Sequence, residues 1–160
     1  MVVKWRGSTS NQLMKTNESI TDTCNALLRG ELSAIETYTQ AIEKFAQDAG
    51  GSPLEAIRAD HMKNADSLRK LVGECGEEPA TSSGPWGTFA TTDEGVATLL
   101  GESPALTILQ QGEQHGINEY EQALDDDDLS ESVKDLIRDT LLPAQREHLV
   151  ILERCKTNAA

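Results

Sequence analysis

Two stretches far apart in this chain repeat one another. Gly30-Glu31-Leu32-Ser33-Ala34-Ile35-Glu36-Thr37-Tyr38-Thr39-Gln40-Ala41-Ile42 is echoed by Gly112-Glu113-Gln114-His115-Gly116-Ile117-Asn118-Glu119-Tyr120-Glu121-Gln122-Ala123-Leu124. Gly, Glu, Ile, Tyr, Gln and Ala recur at the same offsets, with Ala34 opposite Gly116 and Ile42 opposite Leu124. Two copies indicate a duplicated helix hairpin rather than a stacked array, which needs at least three repeats. In both copies the apolar residues follow helical spacing, and Glu31 and Glu113 fall inside the apolar stripe. A carboxylate on a core face costs several kcal/mol unless it is paired, hydrogen-bonded, protonated or metal-bound. Two of them at matching places need a common explanation.

The 160 residues suit one domain with a real core. The formal charge of −13 and pI near 4.5 argue against nucleic acid and against anionic membrane surfaces as partners. No run approaches the roughly 20 apolar residues of a membrane span. Residues 1–10 lack the apolar core and cleavage site of a signal peptide, so the cytoplasm is the expected location. Cys24, Cys75 and Cys155 are odd in number and widely spaced, which implies neither a disulfide framework nor a zinc motif.

In chain order, residues 1–17 read as a loose arm, and residues 18–157 as an all-α, four-helix bundle. The first helix is expected from about Ser19 or Asp22 to about Asp48, stopped by Gly50-Gly51. Ser52-Pro53-Leu54-Glu55 reads as a capping box opening a second helix, with Leu54, Ile57, His61, Ala65, Leu68 and Val72 on one face. Gly76 ends the first hairpin, residues 18–76. Residues 77–103 form a crossover, in which Trp86 and Phe89 are expected to plug one end of the bundle and Asp93–Leu100 to form a short helix. The second hairpin, 104–157, opens at Ser103-Pro104, turns through Asp125–Asp128 and ends in a helix from about Ser130 to Lys156. Pro143, inside that helix, should kink or locally unwind it. A crossover this long fits the bundle class with one long connection.

Each helix carries one ligand-capable residue in its apolar stripe: Glu31, His61, Glu113 and His148. Inward carboxylates and imidazoles from four helices are how a bundle builds a metal site. Gly-Glu-Leu-Ser-Ala-Ile-Glu-Thr-Tyr at 30–38 resembles the first metal-binding helix of bacterioferritins and rubrerythrins, and its copy at 112–120 resembles the third. His61-Met62-Lys63-Asn64-Ala65-Asp66 resembles their second-helix Glu-Met-Lys-His-Ala-Asp, and Gln145-Arg146-Glu147-His148 the Glu-x-x-His of the fourth. The chain is most similar to an uncharacterised bacterial family of ferritin-like domains. The resemblance implies a ferritin-like fold of two antiparallel hairpins. It also implies metal ligands at Glu31, His61, Glu113 and His148, supported by Tyr38, Tyr120, Asn64 and Gln145.

The departures bear on activity. His61 and Asn64 stand where that family places Glu and His, and Gln145 replaces another Glu, so bridging carboxylates are lost. What is left suits one transition metal ion (iron, zinc or manganese), an altered dimetal site or an empty centre, with a di-iron redox enzyme ranking third. Counting rises from the turn at 1.5 Å per residue leaves Glu31 and His61 roughly 12 Å out of level. That count puts Tyr38 beside His61, bonded to it, with Glu31 meeting Glu113 or a water and the two glutamates sharing a proton. It also makes Cys24 and Cys75 neighbours. Glu36, His115, Glu119 and Glu147 fall on outward faces. Three functions are compatible with these residues: a metal centre in the bundle, a non-catalytic homo-oligomeric (dimer or larger) scaffold, and a small-molecule pocket near Ala34 and Gly116.

Overall fold

The computed structural model describes residues 8–45, 52–84 and 102–158, with side chains placed from residue 18 in the first segment and from residue 104 in the third. It is all-helical, with no strand among the described residues. The helices are α1 (Ser8–Phe45), α2 (Pro53–Glu74), α3 (Glu102–Leu124) and a fourth rod made of α4 (Glu131–Leu136), a π segment (Ile137–Leu141) and α5 (Leu142–Asn158). Helix α1 starts well before Ser19, so residues 8–17 continue it rather than forming a loose arm. The expected stop at Gly50-Gly51, the Trp86 and Phe89 plug and the short helix at 93–100 lie outside the described residues.

Local chemistry sets the ends. Ser52 Oγ accepts the Leu54 N–H at 3.3 Å and Pro53 begins α2, so the expected cap forms. Gly76 closes the helix at φ +82°, a conformation that costs other residues a Cβ clash. The acidic turn is closed by Asp126, whose Oδ1 accepts the Asp128 N–H at 2.9 Å. Ahead of Pro143, which has no N–H and whose ring crowds the carbonyl four residues back, the helix widens into the π segment. The unwinding expected at that proline therefore takes a specific form.

After Gly76 the chain turns back along α1. Asn25 Oδ1 accepts the Ala80 N–H at 2.8 Å, and Ser83 Oγ donates to the outward Glu36 at 2.9 Å. All three cysteines are free; burial and the nearby Cys75 push the Cys24 thiol up to about 11.

The apolar core is two clusters. One gathers Leu28, Leu68, Ile117 and Leu141; the other gathers Tyr38, Ile57, Leu109 and Leu152. On every rod a polar residue lies between members of the two. Glu31 follows Leu28 and precedes Tyr38, His61 follows Ile57 and precedes Leu68, Glu113 separates Leu109 from Ile117, and His148 separates Leu141 from Leu152. The fold thus sandwiches one polar layer between two greasy ones. Gly76→Ala should lower stability by about 1–2 kcal/mol in urea denaturation, because an L side chain must take the left-handed conformation.

Candidate metal centre

The polar layer is sealed: Glu31, His61, Glu113 and His148 are each at most 3% exposed. His61 is wedged between the two repeat carboxylates. Its Nδ1 meets Glu31 Oε2 at 2.7 Å and its Nε2 meets Glu113 Oε1 at 3.0 Å. The tyrosines strap the repeats crosswise. Tyr38, from the first copy, donates to Glu113 Oε1 at 2.6 Å, and Tyr120, from the second, donates to Glu31 Oε1. On the remaining side, His148 Nδ1 lies 3.3 Å from Glu113 Oε2, and its Nε2 lies 3.6 Å from Asp60 Oδ2.

The electrostatics follow from this packing. Burial alone would depress the His61 imidazole, but the Glu31 charge and hydrogen bonds to both glutamates carry it up to about 10. Burial alone would raise Glu113, but hydrogen bonds from His148 and His61, with their charge, hold it at about 2. Burial and the neighbouring carboxylates push both tyrosine hydroxyls well above their usual range, which keeps them as donors. Asp60 is burdened by partial burial, yet Lys63 and His148 bring its carboxyl below the usual value.

The four residues expected as ligands are therefore brought together, but not as the register count implied. Tyr38 does sit beside His61, with ring centroids 5.4 Å apart, yet its hydroxyl goes to Glu113 and not to the imidazole. Glu31 bonds His61 at 2.7 Å, which overturns the offset given by the count: two side chains of this length cannot bridge roughly 12 Å along the axis. Nor do the glutamates meet to share a proton, since His61 lies between them. Ligand atoms of His61, Glu113 and His148 fall within 4.8 Å of one another, while Glu31 occupies the far nitrogen of His61. Asn64 and Gln145 are buried beside the layer; Asn64 Nδ2, Gln145 Oε1 and His148 Nε2 lack hydrogen-bond partners. Asp60 was not legible in the sequence. It is half exposed, off the apolar stripe, and marked only by adjacency to His61.

On the α1/α3 side of the glutamates lies a cavity of about 90 Å³, reaching Ala34 and Gly116. Gly116 is needed for Gln145: a Cβ there would come within 2.1 Å of Gln145 Nε2.

Stability should depend on pH through this layer. The His61 contribution is complete below about 6.5, its unfolded value, and is lost as pH rises toward about 10. The Glu113 contribution is complete above about 4.5 and is lost as pH falls toward about 2. Urea denaturation across pH should show a plateau between those limits. His61→Leu should cost about 3–5 kcal/mol by stranding two carboxylates, and should remove the alkaline decline. An unchanged alkaline decline in that variant would contradict the assignment.

No curated protein and no solved structure matches this chain. No described helix is long and apolar enough to cross a membrane. The model of the family described as Domain of unknown function (DUF2383) matches residues 19–126, a span holding Glu31, His61, Glu113 and both tyrosines, and the chain belongs to that family.

Proposed function

We propose that this protein is a ferritin-like four-helix bundle of two antiparallel hairpins whose centre holds one divalent transition metal ion, iron, zinc or manganese, on His61, Glu113 and His148. One observation carries this. Each imidazole turns one nitrogen toward Glu113 and the other toward a further carboxylate, Glu31 for His61 and Asp60 for His148. Metal-binding histidines are oriented in that way, by a carboxylate behind the ring. The donor spacings fit as well. One ligand atom from each of His61, Glu113 and His148 lies within 4.8 Å of the other two, close enough to converge on one ion.

A dinuclear centre does not fit the donor set, because His61 and Gln145 occupy places where bridging carboxylates would be needed. When bound, a single ion on two imidazoles and a carboxylate supplies Lewis-acid chemistry or, if redox-active, one-electron chemistry. The chain's own residues fix the imidazole orientations, hold Glu113 through Tyr38, and exclude bulk water from the layer.

A second function is supported by a different observation. His61 is satisfied on both nitrogens without an ion, so the layer can close by hydrogen bonds alone, as a non-catalytic, metal-free scaffold working as a homo-oligomer would require. Elemental analysis separates the two. After loading with iron, manganese or zinc and removal of excess, about one ion per chain is expected. It should be lost in Glu113→Ala and His148→Ala, while Glu31→Gln weakens affinity about 10–100-fold. A chain that stays metal-free under all three loadings would leave the scaffold.

A further inference from the structure

Two thiols lie on the seam between α1 and α2. Going back along α1, its partners climb in number. Thr39 Oγ1 accepts from Arg58 Nη1 at 3.4 Å, and Tyr38 lies against His61 with ring centroids 5.4 Å apart. Further back, Asn25 Nδ2 donates to the Glu78 carbonyl at 3.4 Å and its Oδ1 accepts the Ala80 N–H at 2.8 Å. Counted from the Tyr38–His61 contact, Cys24 lies fourteen residues back on α1 and Cys75 fourteen residues on along α2. Fourteen residues are two heptads, the step that keeps packed helices facing one another. Both helices are unbroken over that step, and Cys75 keeps right-handed φ −76° and ψ −5° at the cap. Positions 24 and 75 therefore face across the seam as 38 and 61 do. The packing agrees: Cys24 belongs to the apolar cluster against which Cys75 is packed, and each thiol feels the other's charge. Helix axes stand about 8–10 Å apart with Cα atoms about 2.3 Å off axis, so facing Cα atoms fall at roughly 4–7 Å, the span of a disulfide.

We propose that Cys24 and Cys75 are a redox-modification site, closing to a reversible disulfide by exchange with a small-molecule disulfide. Their exposures set the order. Cys24 is 1% exposed and its thiol is pushed up to about 11, so it does not react with a solvent oxidant alone. Cys75 is half-buried and within reach of solvent. Its thiolate attacks the oxidant's S–S bond, forming a mixed disulfide and releasing one thiol. Cys24 then loses its proton and attacks Cys75 Sγ, expelling the second thiol. Two electrons pass from the cysteines to the oxidant, which leaves as two thiols. Cys155 is no partner: it packs against the other cluster, near Tyr38, roughly 21 Å along the bundle. The bond would fasten α2, and with it His61, to α1 at the end where the crossover departs.

The test needs no bound ion. The full chain is incubated with oxidised glutathione and mapped by mass spectrometry without reduction. A Cys24 peptide joined to a Cys75 peptide within one chain is expected. Closing a loop of about 50 residues should raise the melting temperature by about 5–15 °C, reversed by dithiothreitol. Cys155→Ser should behave as the native chain does. Cys24→Ser should leave Cys75 carrying one glutathione, with no rise in melting temperature. Circular dichroism checks the fold; if Cys24→Ser does not fold, Cys75→Ser decides, and should leave the sealed Cys24 unmodified. The proposal is overturned if neither thiol of the native chain reacts, if Cys75 stops at the mixed disulfide, if the link joins two chains or involves Cys155, or if a folded variant lacking one of the pair gains the same rise.

Discussion

The imidazole of His61 between two buried carboxylates is the interaction on which the rest of this structure depends. Taking Glu31 and Glu113 out of water carries a penalty of several kcal/mol each. It is offset only because donors arrive from other helices: His61 from α2, His148 from α5, Tyr38 from α1 and Tyr120 from α3. None of these donors lies on the same helix as its acceptor. Each contact therefore fixes the axial position of one helix against another, and a slip of one turn would leave a carboxylate unpaired in the core. Apolar packing above and below is tolerant of such slips; the polar layer is not.

The crosswise tyrosines show what the duplication contributes. Within each copy Glu and Tyr are seven residues apart, two helical turns, and so lie on one face. With the copies facing one another, each tyrosine reaches the other copy's glutamate. The duplication is broken in the other helix pair. His61 and Asn64 are three apart on α2, and Gln145 and His148 are three apart on α5, with the imidazole first in one pair and second in the other. One ring consequently lies between both repeat glutamates, while the second meets Glu113 alone of the two and turns its other nitrogen toward Asp60. The amides at the two leftover places, Asn64 and Gln145, retain unpartnered atoms. A symmetric scaffold thus ends in an asymmetric centre, with Glu113 the carboxylate that serves both imidazoles.

Much of this was legible before any coordinates. A charged residue inside an apolar stripe is a strong signal, because burial is dictated by its neighbours, and it picked out Glu31, His61, Glu113 and His148. Pro143 announced a helix defect, since a missing N–H is a local property. Pairing was less legible. A count of residues outward from a turn carries any error in placing that turn into the height of both side chains, and it wrongly separated Glu31 from His61, which lie 2.7 Å apart at their polar ends. Asp60 left no trace in the pattern because it is partly solvated, and solvated carboxylates are the commonest residues in a chain with 27 of them. The early start of α1 was obscured for a related reason: polar helix-compatible residues carry no apolar period to mark them.

Glu113 also ties the two sides of the layer together. One oxygen takes Tyr38 and His61, the other faces His148, and the same side chain stands in the wall of the α1/α3 cavity. A ligand in that cavity would meet Tyr38 and Glu113 from one side, while an ion on the imidazoles would draw on Glu113 from the other. Linkage requires that any preference of one for a particular Glu113 arrangement be returned by the other with the same factor. Contact alone does not fix the sign. A donor that competes with Tyr38 for Oε1 would loosen the carboxylate and oppose the ion, whereas one that leaves the Tyr38 bond in place would spare the carboxylate at the centre.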